Sequence, residues 1–422
     1  MYTQSVYAQS PSGLSRDEIK HELSKLLDGL TLNKVLLLPP DYTRYHSYAG
    51  QITVMLWELL KDMCQVDVMP ALGTHVPVSE SEWEKMFSPI PYEKMIVHSW
   101  RDDVVKIGEV PSDFVKEVSE GLVEDKIDVE VNRRLLDNSY DLILSIGQVV
   151  PHEVVGMANR NKNIFVGCGG SSMINSSHML GAFYGLERVM GKDHTPVRRV
   201  FDYAEEHFLK DVPLSYILTV TDAPQGNIRV HGLFIGRDRK YFEDAVTLAQ
   251  QKNLNLVDEP FEKVVVLLDE QEFKSTWLGN KSVYRTRMAI KDGGQLIVLA
   301  PGVDKFGEDP GIDKLIRKYG YCGRENVLKL VKEHEDLKQN LSAAAHLIHG
   351  SSDGRFSITY CTRLLTKEEV EGVCFGYIPY DEAVKKYDPA LLKDGFNTLP
   401  DGERIYYISN PALGLWADKS KF

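Results

Sequence analysis

Short apolar runs alternate with amphipathic segments along this 422-residue chain. Val35–Leu38 is a run typical of a buried strand, and the apolar positions between Ile52 and Met63 recur at the spacing of a helix. Val66–Met69 then predicts the next strand. Strand, helix and strand in this order indicate an α/β fold with mostly parallel sheets.

The same patterns predict elements along the rest of the chain. Ser15 and Glu18 form a capping box ahead of apolar residues at helical spacing, so a helix should begin there. Further strands are predicted at Leu142–Ile146, Ile164–Val166, Tyr216–Val220, Val264–Leu268, Gln295–Leu299 and Val373–Tyr377, and helices near Val200–Leu209, Arg239–Gln250 and Asn326–His346.

The length of the chain exceeds what one ordinary hydrophobic core supports, so we expect two α/β domains with an active-site cleft between them. The polar stretch ending at residue 263 favours a linker at 256–263. The N-terminal domain would then span 1–255 and the C-terminal domain 264–390. The segment 395–422 is expected to pack back on the N-terminal domain.

The formal net charge of −12, with no basic block, argues against a nucleic-acid partner. An anionic ligand would need a local group of Arg and Lys. No stretch of eighteen apolar residues and no signal-like start occur, so neither a membrane span nor export is expected, and we predict a cytoplasmic protein. The five scattered cysteines contain no C-x-x-C pair, which argues against disulfides and zinc knuckles.

Polar residues follow the predicted strands, where open α/β sheets bind their ligands. Asp41-Tyr42-Thr43-Arg44 comes after the first strand, and Arg44 could clamp a carboxylate, although a surface turn is an alternative. His75 follows the second strand and His98 a third apolar run. A single histidine is more often structural than catalytic, so the repeated placement carries more weight than either residue.

The segment Pro151–His178 contains the richest chemistry. His152, Lys162 and His178 lie there together, and imidazoles can ligate a metal or move protons while an amine can carry a cofactor. A glycine-rich loop with Gly169 and Gly170 could cradle a phosphate, but it matches the dinucleotide fingerprint only weakly, and a plain tight turn fits as well.

A second polar group precedes the predicted strand at Gln295. Trp277 and Lys281 lie there with Tyr284, Arg285 and Arg287. Lys281 could reach a ligand carboxylate across the cleft, and a solvated helix face is the alternative.

These motifs resemble one family. The resemblance rests on Asp41-x-Thr43-Arg44, Gly73-Thr74-His75, Pro151-His152, Gly156, Lys162 and His178, with Lys281 near the C-terminal Asp292-Gly293-Gly294 turn. Lys162 follows His152 by 10 residues and precedes His178 by 16. This pattern is similar to that of the nickel-dependent lactate racemases, which are 2-hydroxy-acid racemases and epimerases.

The resemblance implies a nickel-pincer nucleotide, a pyridinium-3,5-bisthiocarboxylic acid mononucleotide holding nickel, made by cofactor-synthesis proteins of the host. It implies covalent attachment at Lys162, nickel ligation by His178, and acid–base roles for His75 and His152. Arg44, Lys281 and Trp277 would bind the substrate, and the remaining cofactor contacts would be Asp41, Thr43, Gly169 and Gly170.

The chemistry of C2 inversion agrees with such a set. Removing the C2 hydrogen as hydride leaves a flat 2-keto acid, and a histidine on each side would serve the two hydroxyl orientations. The residues at 158–160 and Leu278 depart from the lactate-type pattern, so a larger 2-hydroxy acid or a sugar acid is a credible substrate.

Three other classes of protein stay open at this point. One is a nicotinamide-dependent dehydrogenase that uses the glycine loop. Another is a zinc hydrolase or lyase built from His75, His152 and His178, with Glu153 as its base. The third is a non-catalytic binder of organic acids, which would need Arg44 and Lys281 but neither His75 nor His152.

Overall fold

The computed structural model describes residues 2–421. Its strands, in chain order, are β1 (Gln4–Tyr7), β2 (Lys34–Leu38), β3 (Gln65–Val68), β4 (Val104–Val110), β5 (Ile127–Asn132), β6 (Leu142–Gln148), β7 (Pro151–His152), β8 (Gly156–Met157), β9 (Leu214–Asp222), β10 (Arg229–Ile235), β11 (Leu254–Val257), β12 (Phe261–Leu267), β13 (Ile290–Leu299), β14 (Ser357–Thr362), β15 (Gly376–Pro379), β16 (Gly395–Thr398), β17 (Arg404–Ile408) and β18 (Leu415–Asp418).

Helices lie at each of the predicted positions, and others lie where no helix was predicted. They are α1 (Arg16–Leu27), α2 (Ala49–Leu60), α3 (Glu80–Phe87), α4 (Ser112–Val118), α5 (Ser171–Tyr184), α6 (Leu186–Val189), α7 (Pro196–Phe208), α8 (Arg239–Asn253), α9 (Thr276–Gly279), α10 (Lys281–Tyr284), α11 (Pro310–Tyr319), α12 (Arg324–Glu333), α13 (Glu335–Lys338), α14 (Leu341–His349), α15 (Lys367–Gly372) and α16 (Tyr380–Lys386).

The chain forms two compact units, as expected for an α/β protein of this length. The first contains the chain up to Tyr184 together with Arg188–Asn253. Its main sheet has the strand order β1-β10-β9-β6-β2-β3, in which β3, β2, β6 and β9 run parallel. Buried apolar side chains cover both faces of this sheet, which explains why its central strands are continuous apolar runs.

The predicted capping box at the start of α1 is confirmed. The Ser15 side chain accepts the Glu18 backbone N–H, and the Glu18 carboxylate accepts the Ser15 backbone N–H. Two backbone donors at the helix start are thereby satisfied, and Ile19 and Leu23 then face the core.

The second unit contains Gly185–Glu187 and the chain from Leu254 onward. Its sheet has the order β15-β14-β13-β12-β17-β16, with five parallel strands and the antiparallel edge strand β16. The placement of 395–422 on the N-terminal domain is therefore wrong, because β17 adds to β12 within the second sheet. The expected 256–263 linker contains parts of β11 and β12.

Several local predictions are also corrected by the structure. The helix expected over Asn326–His346 is divided into α12, α13 and α14. The run Ile164–Val166, predicted as a strand, lies in a π-helix spanning Asn163–Gly167. A run of three apolar residues cannot distinguish a buried strand from a buried helical turn, so tertiary packing decides between them.

All five cysteines are free thiols, as their scattered spacing predicts. Within residues 2–421, no helix combines the length and the apolarity that crossing a bilayer requires.

Candidate active site

Three loops of the first unit bring the predicted polar residues to one edge of the main sheet. The loops follow β2, β3 and β6, which are adjacent parallel strands in the order β3-β2-β6. Asp41 and His75 lie in the first two of these loops, and His152 lies in the short strand β7 within the third connection. Since the carboxyl ends of parallel strands point to the same edge, the topology gathers these residues where α/β proteins bind ligands.

Asp41 and His75 form a hydrogen-bonded pair. Nδ1 of His75 lies 2.5 Å from Oδ2 of Asp41, and the other carboxylate oxygen accepts Thr43 backbone N–H at 2.9 Å. Burial raises the pKa of the Asp41 carboxyl, but the hydrogen bonds from His75 and Thr43 outweigh burial and leave that pKa below its ordinary value. Asp41 is therefore an anion that orients a half-exposed imidazole, while the Arg44 side chain is exposed.

His152 is buried at the end of β7, a short strand paired with β8. Its Nδ1 accepts the Val154 backbone N–H at 3.1 Å. Burial lowers the pKa of His152 well below its ordinary value, and the charges of Lys162, Arg44 and His178 lower it further, against the opposing charge of Glu153. The imidazole is consequently neutral, and the basic groups that lower its pKa are ones that the sequence analysis placed at the site.

Lys162 is the residue immediately before the π-helix. Burial lowers the pKa of its amine to about 8, with Arg44 adding to the effect and Glu153 and Asp41 opposing it. An amine with this pKa is partly neutral near physiological pH, and a neutral amine is the nucleophilic form.

The π-helix is fixed to the sheet by Asn163. Its side-chain amide donates to the Leu38 carbonyl at 3.3 Å and to Ser145 Oγ at 3.1 Å. Leu38 ends β2 and Ser145 lies within β6, so the backbone next to Lys162 is attached to two central strands. Single π-helical turns recur at functional sites, which is consistent with this location.

His178 lies on α5, where a hydrogen bond to the backbone fixes its tautomer. Its Nδ1 is 2.6 Å from the carbonyl of Ile174, one turn earlier, so Nδ1 carries the proton and Nε2 keeps its lone pair. Metal-binding histidines usually donate their second ring N–H in this way. Burial lowers the pKa of His178, and the charge of Lys162 lowers it further. The hydrogen bond to Ile174 raises that pKa but does not outweigh the other two effects, so the imidazole is neutral.

The glycine-rich loop is packed against β5. The Glu130 backbone carbonyl accepts Gly170 N–H at 3.3 Å, and its side-chain carboxylate accepts Ser172 N–H at 3.0 Å. A Cβ at Gly169 would lie 1.9 Å from the Phe165 carbonyl, so close packing accounts for the glycine there. Because Glu130 already occupies the start of α5, the predicted phosphate contact of Gly169 and Gly170 stays a prediction.

The structure argues against two of the alternative functions, the nicotinamide-dependent dehydrogenase and the zinc hydrolase or lyase. The glycine loop follows a π-helix instead of a strand, so the strand–turn–helix setting of a dinucleotide site is not met. Among the described residues, a metal-like group with ligand atoms within 4.8 Å of one another occurs only at Asp193, His194 and Glu243. The three histidines proposed for zinc therefore do not form a preassembled site.

Arg160, one of the residues at 158–160 that depart from the lactate-type pattern, is a structural residue. The residue is 7% exposed, and its guanidinium donates to the Asp202 carboxylate at 2.6 Å. The Glu205 carboxylate lies 3.4 Å from the same nitrogen. Its backbone has a φ of 53°, in the left-handed region. These contacts commit its guanidinium to the protein interior.

Arg198 was not singled out by the sequence, and it is fully buried on α7. It donates to the Met157 carbonyl at 2.5 Å, to the Asn159 carbonyl at 3.2 Å and to the side chain of Asn161. The signal that could have found it is a charged residue within the apolar face of an amphipathic helix. Arg198 thereby holds the segment that leads into Lys162.

His98 is a satisfied core histidine. Its Nε2 donates to the Gly169 carbonyl at 3.2 Å, and its Nδ1 accepts from Asn132 Nδ2 at 2.9 Å. Burial lowers the pKa of His98, in agreement with a neutral structural role.

The predicted substrate residues Trp277 and Lys281 belong to the second unit. Trp277 packs on His346 with ring centroids 4.2 Å apart, and Lys281 Nζ lies 5.5 Å from the Phe273 ring centroid. The neighbouring Arg287 is 3% exposed, so a solvated helix face does not describe this group. Substrate binding by Trp277 and Lys281 stays a prediction.

One known family matches part of this chain. Residues 20–189, which include Asp41, His75, His152, Lys162 and His178, match the family described as lactate racemase N-terminal domain. A search of curated proteins gave no significant match.

Two solved structures share the fold. A Thermotoga maritima protein is 24% identical, with a TM-score of 0.81, covering 98% of this chain and 100% of its own. The lactate racemase apoprotein of Thermoanaerobacterium thermosaccharolyticum is 17% identical, with a TM-score of 0.71, covering 96% of this chain and 93% of its own. At these identities the likeness establishes the α/β architecture.

Proposed function

Residues 20–189 match the lactate racemase N-terminal domain family, and from this similarity we propose that the protein is an isomerase that inverts C2 of a 2-hydroxy acid. The observation that carries the proposal is the convergence of charge at the sheet edge. The pKa of His152 is lowered by the charges of Lys162, Arg44 and His178. The charge of Asp41 raises the pKa of Lys162. Perturbed titratable groups gathered at a ligand-binding edge are typical of an active site.

The residues fit the nickel-pincer nucleotide that the resemblance implies. Lys162, whose pKa is about 8, would carry the covalent thioamide link, and the free lone pair on Nε2 of His178 would ligate nickel. Asp41, Thr43, Gly169 and Gly170 are the further proposed cofactor contacts. When bound, the group would supply an acceptor for the C2 hydrogen as hydride.

The side chains of the protein would bind the substrate and move its hydroxyl proton. Arg44 is proposed to hold the substrate carboxylate. His75, oriented by Asp41, can take the hydroxyl proton at Nε2. His152 follows β6, which β2 separates from β3. It would contact the hydroxyl in the opposite configuration, since each acid–base group must lie within hydrogen-bond reach.

The proposed substrate is a lactate-like or a larger 2-hydroxy acid, such as a sugar acid. Ala158, Asn159 and Arg160 depart from the lactate-type motif in the segment before Lys162. We further propose a cytoplasmic enzyme that receives its cofactor from the synthesis proteins of the host.

The intact mass of the protein, purified from a host that makes the cofactor, tests the cofactor and the site together. We expect a covalent adduct that Lys162→Ala abolishes and that Lys210→Ala, at an exposed lysine of the same unit, retains. Polarimetry over a panel of 2-hydroxy acids should then find optical rotation that decays without net consumption. An unmodified protein with full activity would contradict the proposal.

A further inference from the structure

The two proposed acid–base histidines have different hydrogen-bond partners at Nδ1. Asp41 faces Nδ1 of His75 at 2.5 Å with a carboxylate whose second oxygen accepts from Thr43. A carboxylate only accepts hydrogen bonds, so Nδ1 of His75 carries a proton. In the neutral ring Nε2 therefore holds a lone pair and is a base.

The arrangement at His152 is the reverse. The Val154 backbone N–H points at Nδ1 from 3.1 Å, and a backbone N–H only donates. Nδ1 of His152 must hold the lone pair, so in the neutral ring the proton lies on Nε2. The charged groups acting on this ring are Glu153, Lys162, Arg44 and His178.

We infer that His75 and His152 are held in opposite tautomers, so that the resting site offers one base, Nε2 of His75, and one hydrogen-bond donor, Nε2–H of His152. The tautomers follow from contacts within this chain. Only their catalytic consequence rests on the proposed function.

The consequence is that the two substrate configurations are not handled alike in the first half of the reaction. When the hydroxyl faces His75, its O–H bond would break and its proton would join Nε2, while the C2 hydrogen would leave as hydride to the proposed nickel-bearing organic acceptor. The substrate is thereby oxidised by two electrons to a 2-keto acid, and the acceptor is reduced.

When the hydroxyl faces His152, the same step first requires the ring proton to move to Nδ1, against the N–H of Val154. Leaving a buried donor unsatisfied disfavours that tautomer, and we expect oxidation of this configuration to be about 10- to 100-fold slower in a single turnover.

Nitrogen-15 NMR of the histidine rings tests the inference without any cofactor. Multiple-bond ¹H–¹⁵N spectra of the histidine-labelled protein near pH 7.5 distinguish protonated from unprotonated ring nitrogens. His75→Gln and His152→Gln assign the two rings. We expect a protonated Nδ1 for His75 and a protonated Nε2 for His152.

Two other histidines are matched controls in the same spectrum. His98 donates from Nε2 and accepts at Nδ1, whereas His178 donates from Nδ1, so their signals calibrate the two tautomers. Asp41→Asn removes the carboxylate and should release the tautomer of His75 while leaving the His152 signals in place.

A His152 ring protonated at Nδ1, or averaging between both nitrogens, would overturn the inference. Equal single-turnover formation of keto acid from the two configurations by the cofactor-loaded enzyme would overturn its catalytic consequence. If the tautomers are as inferred but Lys162 carries no adduct, the proposed function fails while the assignment of the ring protons stands.

Discussion

Replacing Arg198 by methionine should destabilise the first unit far more than the same replacement at its neighbour Arg199. Arg198 is fully buried, and its guanidinium satisfies three oxygens of the segment 157–161 while lying 4.3 Å from the Phe242 ring centroid. Arg199 is half-exposed and pairs with Glu117 at 3.1 Å. Both variants remove one positive charge from α7, so they differ in burial and partners and not in net charge.

The size of the effect follows from what Arg198→Met leaves behind. Two backbone carbonyls and an amide oxygen lose their donors, and each buried unsatisfied group costs about 1–3 kcal/mol. Burial lowers the pKa of Arg198 to about 9, so relief from desolvation offsets part of this loss. We expect a decrease of about 3–5 kcal/mol in the free energy of unfolding, against about 0–1 kcal/mol for Arg199→Met.

The change should also be local to the segment before Lys162. Asn159 and Arg160 both have left-handed backbones, with φ of 68° and 53°, and such conformations persist only where surrounding contacts hold them. Hydrogen exchange in peptides covering 157–162 should therefore rise in Arg198→Met and stay unchanged in Arg199→Met.

Equilibrium urea unfolding followed by circular dichroism gives the free energies, and mass spectrometry gives the exchange rates. If the two variants unfold with free energies within about 1 kcal/mol of each other, Arg198 does not hold this segment and the reasoning from its buried contacts fails.

Three further outcomes are expected. Asp41→Asn removes the acceptor that orients His75, so the racemisation rate of the cofactor-loaded enzyme, measured by polarimetry, should fall about 10²- to 10⁴-fold. A change below tenfold would contradict this role of the carboxylate. Burial lowers the pKa of His98, so below about pH 6.5 the unfolded chain binds a proton that the folded protein does not, and stability falls as the pH falls. His98→Gln should flatten that part of a stability-against-pH curve measured by urea unfolding; an unchanged slope would refute this contribution. Gly170→Ala places a Cβ 2.3 Å from a carboxylate oxygen of Glu130 and should lower the unfolding free energy by about 1–3 kcal/mol. Gly372→Ala, whose Cβ would have nothing within 4 Å, is the control and should not lower it. Equal effects of the two variants in thermal unfolding would show that the packing at Gly170 is not tight.

The local pattern of apolar residues predicted much of the fold and of the candidate site. Val35–Leu38 and Leu142–Ile146 are buried central strands, and their apolar runs identify them because both faces of the sheet are covered. The positions of Asp41 and His152 beyond strand ends follow from the same pattern, since the carboxyl edge of a parallel sheet is a property of chain direction.

What the sequence determined by itself was therefore the order of the elements and the residue types at the ends of the strands. The tertiary structure decided that Ile164–Val166 is helical, that β17 joins the second sheet, and that Arg160 and Arg198 are interior. It also decided which ring nitrogen of His75 and of His152 carries the proton. The physical reason is that periodicity records which face of a segment is buried, whereas a hydrogen-bond partner is supplied by other segments, whose approach no local pattern encodes.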